Sequence, residues 1–316
     1  MSPSPSAMPS SAVGDHGRFL TTPGASHLGR APGDITLRLA FAGATYRFVG
    51  LNELERDGVL ERFDKLVVDP APAADDVVTT LAHAGSALFH PIPTTDWEYR
   101  LAISHDVSHV TLSGIGFWAE IVRAPLGAEL AVDEADAHFQ GAFENLFRVL
   151  VAYQLLMREG AFVMHSAGIA DGDDGFLFFG RSGAGKTTLS GLSKDRGLRV
   201  LSDELNALRP RDDGTIELLP MPFAGDFGQD NISLEPCTLR GLYALEQGDA
   251  PASRPCSRPQ AISRITASCP FTNVDPSLDE PLFTQVGALV QRMPVRILTF
   301  ALDGSFWDVV RRDTGM

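Results

Sequence analysis

Residues 175–204, GFLFFGRSGAGKTTLSGLSKDRGLRVLSDE, decide how the rest of the chain is read. Gly180 to Thr187 satisfies the pattern G-x-x-x-x-G-K-[ST] without a mismatch, and its surroundings supply the context that the pattern needs. Phe176 to Phe179 is an apolar, strand-like run, and Thr187 to Asp195 reads as a short helix stopped by Gly197. The loop therefore falls where a strand feeds a helix N-terminus. Gly180, Gly183 and Gly185 let the backbone turn its N–H groups inward, and the helix N-terminus adds partial positive charge at the same point. Such a loop is built to hold phosphate oxygens. The expected nucleotide contacts are Gly180, Ser182, Gly183, Ala184, Gly185, Lys186, Thr187 and Thr188. Lys186 is expected to reach the β/γ-phosphates of ATP, with the Thr187 hydroxyl as a ligand for Mg²⁺.

Downstream, Leu198 to Leu201 is a second apolar run that ends on Ser202, Asp203 and Glu204. A strand that lifts carboxylates to the carboxyl edge of a sheet puts them where ligands bind in open α/β folds. Mg²⁺ takes one or two carboxylates together with phosphate oxygens and water. Asp203 is the expected metal ligand beside Thr187. The two adjacent acids can divide the work, one holding metal and the other orienting or deprotonating an attacking hydroxyl.

Upstream, residues 161–170 and 175–180 flank an Asp/Gly cluster and read as a β-hairpin. With a turn centred near Asp173, His165 falls opposite Arg181, at the mouth of the loop. A strand histidine is thereby aimed at the phosphates. His165, Lys186, Asp203 and Glu204 are the candidate catalytic residues.

The remainder organises around this core. Residues 1–30 are rich in Ser, Pro, Gly and Ala and cannot bury enough surface to offset their ordering entropy, so a disordered tail is expected, with His16 and His27 solvated. Residues 31–133 form a β-rich N-terminal domain: ITLRLAFA, TYRFVG, KLVVD, YRLAIS, HVTLSGI and FWAEIVR alternate over short runs, with hairpin tips at Gly43-Ala44 and Asp106-Val107. His90, His105 and His109 are scattered through it without a shared pattern. Residues 134–160 read as a linking helix in which Phe139, Phe143, Leu146, Phe147, Leu150, Tyr153 and Leu156 make an apolar stripe ended by Gly160. Residues 161–316 form the P-loop domain, with a second hairpin turning at Asp212 to Gly214, apolar strands over 240–246 and 295–302, a surface connection over 248–259 and a closing helix over 306–312.

The formal net charge of −14 over 316 residues argues against a nucleic-acid partner and against an anionic membrane surface. The three cysteines, Cys237, Cys256 and Cys269, form no metal-binding spacing and suit free thiols in a reducing cytoplasm. The most apolar helical stretch, residues 149–157, is far too short to span a bilayer.

With His165, the glycine loop and Asp203-Glu204 in view, the chain resembles the HPr kinase/phosphorylase family, bacterial serine kinases whose core is related to ATP-dependent phosphoenolpyruvate carboxykinase. A histidine stands fifteen residues before the first loop glycine, and an acidic pair begins seventeen residues after the loop lysine, as in that family. The resemblance covers residues 161–209 well and the strands at 240–246 and 295–302 loosely. It implies an α/β P-loop mixed-sheet kinase core, ATP as donor, Mg²⁺, and transfer to the hydroxyl of a peptide, protein or small metabolite. It implies that Lys186 stabilises the transferring group, that Thr187 and Asp203 hold the metal, that His165 contacts the phosphates and that an acid is the base. That base can be Asp203 or Glu204. The HPr enzymes assemble, so a homo-oligomer is compatible with the resemblance.

A non-catalytic ATP-binding module of the same fold is the alternative reading. Other P-loop classes fit poorly. The LSGL at 189–192 lies inside the loop helix and cannot serve as a transporter signature, and residues 272–275 are a poor imitation of a guanine-reading motif. Asp226-Phe227-Gly228 has the letters of the protein-kinase metal motif without its catalytic loop.

Overall fold

Short alternating runs in the first half of the chain pair edge to edge as one mixed sheet. The computed structural model describes residues 28–30, 33–69, 71–86, 89, 101–133, 139–223, 225, 234–300 and 303–316. The chain divides into two units between Val151 and Ala152. It is mixed α/β, with two mixed sheets and six α-helices among the described residues.

In the first unit the strands are β1 (Leu28–Arg30), β2 (Ile35–Phe41), β3 (Ala44–Leu51), β4 (Val77–Ala84), β5 (Ala102–His105), β6 (His109–Gly114), β7 (Phe117–Arg123) and β8 (Leu126–Asp133). Their order is β2-β3-β4-β8-β7-β6-β5, with β1 also on β4. β3, β4 and β8 run parallel and the other pairs antiparallel. The first hairpin turns on Ala42 and Gly43, one residue earlier than expected. Both have positive φ, 52° and 82°, the geometry a two-residue turn needs to match strand twist.

Helix α1 (Glu53–Phe63) interrupts the expected run of strands in this half. Asn52 starts it: its side chain accepts from the Glu55 amide at 2.9 Å while Glu55 Oε2 accepts from the Asn52 amide at 2.8 Å. The KLVVD run is no strand. It forms a single 3₁₀ turn at Asp64–Leu66 and one bridge between Val67 and Leu39. Helix α2 (Phe139–Glu159) contains the division between units, and its expected start at Glu134 lies outside the described residues. On its first-unit side, Phe143 and Phe147 pack against Phe48 and Phe63, with ring centroids 4.5 to 5.7 Å apart.

The second unit contains β9 (Phe162–Asp171), β10 (Asp174–Phe179), α3 (Lys186–Asp195), β11 (Arg199–Ser202), β12 (Leu205–Pro210), β13 (Ile216–Pro220), β14 (Cys237–Gln247), β15 (Ala252–Pro255), α4 (Arg258–Ala267), α5 (Asp279–Arg292), β16 (Val295–Phe300) and α6 (Phe306–Thr314). β10, β14 and β16 are neighbouring parallel strands, so their carboxyl ends share one edge. β10 also pairs antiparallel with β9, β9 with β12, β12 with β13 and β13 with β14, which closes the five strands into a circuit.

One face of β9 and β10 carries Ala167, Ile169, Phe176 and Phe178, which pack with Leu189 of α3 and Phe306, Trp307 and Val310 of α6. Phe178 stacks on Tyr243 at 5.4 Å, and the Trp307 indole N–H donates to Ser193 Oγ at 3.0 Å. This apolar layer holds α3 against the strand that feeds it. The expected surface connection over 248–259 instead contains β15 and opens α4, and both α4 and α5 are additions to the expected elements. The cysteines are unpaired; Cys237 and Cys269 are buried. Among the described residues no helix is long and apolar enough to cross a membrane. Of the expected disordered tail over 1–30, residues 28–30 instead form β1 on β4; residues 1–27, His90, residues 226–228 and the end of the last strand run at 301–302 lie outside the described residues.

Candidate active site at the loop between β10 and α3

β10 ends at Phe179 and α3 begins at Lys186, so residues 180–185 form the whole connection. Gly183 and Gly185 have φ of 75° and 99°, the left-handed region that glycine adopts without a side-chain clash. A Cβ at Gly185 would lie 2.6 Å from Phe300, whereas one at Gly183 would meet open space. The amide of Ala184 donates to the Arg181 carbonyl at 3.0 Å, and Gln247, at the carboxyl end of β14, donates to the Gly183 carbonyl at 2.8 Å. The neighbouring parallel strand therefore pins the loop from the side. Gln247 is a contact that sequence reasoning missed, since nothing local to it points across 64 residues to the loop.

Lys186 is buried although it carries a charge, and its Nζ donates to the Gly180 carbonyl at 3.4 Å. Burial pushes its ammonium below the usual lysine range, opposed by the charge of Asp203. Thr187 is exposed, and its Oγ1 donates to Asp203 Oδ2 at 3.0 Å. Asp203 comes to this point from the two residues that separate β11 from β12, past a register shift between Val200 and Ser202 of β11. β11 pairs with β9 up to Ser202↔Gly168, β12 resumes at Leu205↔His165, and Asp203 and Glu204 occupy the interval. Gly225 closes over them: a Cβ there would lie 2.4 Å from Asp203 Oδ1 and 2.9 Å from Glu204 Cβ.

The hairpin register differs from the expected one by a residue. Asp171 pairs with Asp174 across Gly172 and Asp173, and the ladder ends at Ser166↔Phe179. His165 therefore lies level with Gly180 rather than Arg181, because the turn is a two-residue one with Gly172 at φ 61°. Strand alternation puts His165 on the face of Ala167 and Ile169, which α3 covers. Its amide donates to the Ser268 carbonyl at 2.7 Å, so the end of α4 replaces β10 beside β9 once β10 has stopped. The next amide, of Ser166, donates to the Glu204 carbonyl at 2.9 Å.

The donor set suits Mg²⁺. Thr187 Oγ1 and the Asp203 carboxylate are adjacent hard oxygen donors that could hold such an ion, whose other positions would be left to phosphate and water. Among the described residues no three His, Cys, Asp or Glu side chains cluster as a metal cage. No protein-family model matches the sequence, and no curated protein matches it.

Proposed function

We propose that this chain is an ATP- and Mg²⁺-dependent phosphotransferase that moves the γ-phosphoryl group to a Ser/Thr-type hydroxyl of a peptide, protein or small metabolite. Its second unit would be a P-loop kinase core of the HPr kinase/phosphoenolpyruvate carboxykinase type, preceded by a β-rich domain, and it would work in the cytoplasm. The single observation that carries the reading is the 3.0 Å hydrogen bond from Thr187 to Asp203 beside the buried ammonium of Lys186. A hydroxyl, a carboxylate and an ammonium at the mouth of a glycine loop are the parts that phosphoryl transfer uses.

In this reading the loop amides and Lys186 hold the terminal phosphates, and the ammonium offsets charge as it builds on the transferred group. Mg²⁺, when bound, neutralises phosphate charge. Thr187 and Asp203 are the protein groups that would hold it. With Asp203 engaged there, Glu204 is the acid that takes the proton from the acceptor hydroxyl, and His165 contributes a hydrogen bond to the phosphates. Burial leaves the Lys186 ammonium short of bulk hydration and lowers its pKa, a fall that the charge of Asp203 opposes.

Purified protein incubated with labelled ATP, Mg²⁺ and candidate acceptors tests this directly. Transfer that is lost in Lys186→Ala and in Asp203→Asn is the expected result. Tight ATP binding with no transfer to any acceptor would turn the reading into a nucleotide-sensing module.

A further inference from the structure

The face of β9 that α3 does not cover carries a polar group which the chemistry above leaves unused. Ser166 and Gly168 lie on it, with Ser202 and Asn206 beside them on the neighbouring strands. Asn206 is fully buried, and its amide nitrogen donates to the Ser166 carbonyl at 2.9 Å, to Ser166 Oγ at 3.2 Å and to the Ser202 carbonyl at 3.2 Å. Ser202 Oγ in turn accepts from the amides of Glu204 at 3.2 Å and Leu205 at 3.3 Å. The group thus grips the backbone on both sides of Asp203 and Glu204, the two residues between β11 and β12.

The other end of Asn206 explains the glycine opposite it. Among the described residues Oδ1 is buried without a hydrogen-bond partner, and a Cβ at Gly168 would come within 2.5 Å of it. An unpaired buried amide oxygen opposes folding, so apolar packing alone gives no reason for an asparagine here. Its nitrogen does: no hydrocarbon of that shape could tie the Ser166 and Ser202 carbonyls together.

We propose that Asn206, seated on Gly168, is the positioning residue that holds the break between β11 and β12 and so turns Asp203 toward Thr187 and Lys186. The functional consequence rests on the kinase reading of the site; the clamp itself does not.

The test compares Asn206→Ala, Gly168→Ala and the double variant by two readouts. Hydrogen exchange at the amides of Ser166, Glu204 and Leu205 should quicken by about fivefold or more in each single variant, the equivalent of a lost hydrogen bond. Amides in the β14–β16 ladder should be unchanged. In calorimetry with a non-hydrolysable ATP analogue, the affinity gained on adding Mg²⁺ should shrink by about tenfold, with affinity in EDTA unaltered. The methyl group added by Gly168→Ala acts only by displacing Asn206, so the double variant should be no worse than the more severe single one.

Additive effects, or a Mg²⁺ response that is untouched in a folded variant, would overturn the proposal. If these variants do not fold, Ser202→Ala removes only the oxygen that caps Glu204 and Leu205, and an unchanged Mg²⁺ response there would overturn it equally. A wild-type chain that binds no nucleotide defeats the kinase reading instead. The exchange measurement then still decides the clamp, which unchanged rates at Glu204 and Leu205 would refute.

Discussion

Thr187 Oγ1 and Asp203 Oδ2 stand 3.0 Å apart, joining the first turn of α3 to the break between β11 and β12. In the proposed reading these two oxygens would hold the Mg²⁺ ion. Thr187→Ala should weaken Mg²⁺-dependent nucleotide binding by about 10- to 100-fold, and Thr187→Ser should restore most of it. Asp203→Asn should lose at least as much as Thr187→Ala. Titration of Mg²⁺ into the nucleotide-bound protein checks all three.

The adjacent acids are expected to fail differently. Asp203→Asn should raise the Mg²⁺ requirement, whereas Glu204→Gln should lower kcat by about 10²- to 10⁴-fold with ATP affinity preserved, as loss of a general base does. Equal losses of nucleotide affinity in both variants would remove the division of labour between them.

Lys186 yields a pH signature. Burial lowers its folded pKa below the ordinary value, so the unfolded chain binds more protons in the alkaline range and stability rises with pH there. The penalty of burying the ammonium is present in full below the folded pKa and is gone above the unfolded one. Lys186→Met should therefore be as stable as the wild type or more so near neutrality, with its advantage shrinking as pH approaches the unfolded lysine value. The same variant should lose phosphoryl transfer by about 10²- to 10³-fold. Chemical denaturation at several pH values measures the first effect and single-turnover kinetics the second.

Two loop glycines separate conformational strain from collision. Gly183→Ala faces only the left-handed φ of 75° and open space, for a loss of about 1–2 kcal/mol. Gly185→Ala faces φ of 99° and also meets Phe300 at 2.6 Å, so it should destabilise more and should abolish nucleotide binding. Thermal melts of the two variants with and without nucleotide rank them.

Thiol reactivity probes the core of the second unit. Cys256 is partly exposed, while burial pushes the Cys237 thiol up to about 11 and raises Cys269 further. A thiol reagent should label Cys256 in the native protein and reach Cys237 and Cys269 only on unfolding. Rapid labelling of Cys269 would contradict the packing at the end of α4.

The legible parts are those with local causes. FWAEIVR alternates along its own length and is a strand over that same range, β7, and Phe176–Phe179 leads into a glycine loop and a helix as its residues require. α1 is hard to read because its apolar residues make no clear stripe; what starts it is the hydrogen-bonded pairing of Asn52 and Glu55. KLVVD looks like a strand and is not one, because a β-branched pair suits a strand only where a partner edge is available, and here one bridge is all it finds.

By itself the sequence determined the glycine loop, the lysine and threonine that follow it, and the acidic pair at the end of an apolar run. These depend on backbone freedom and on contacts within a few residues. Only the tertiary structure decided that Thr187 meets Asp203, that Gln247 pins Gly183 and that Asn206 grips the break from behind. The first two unite residues 16 and 64 apart in the chain, and the third turns on which residues of β11 and β12 lie opposite β9. Such encounters depend on register and on which strand lies next to which. Those are set by burying one face of the whole sheet, and no short stretch of residues carries that information.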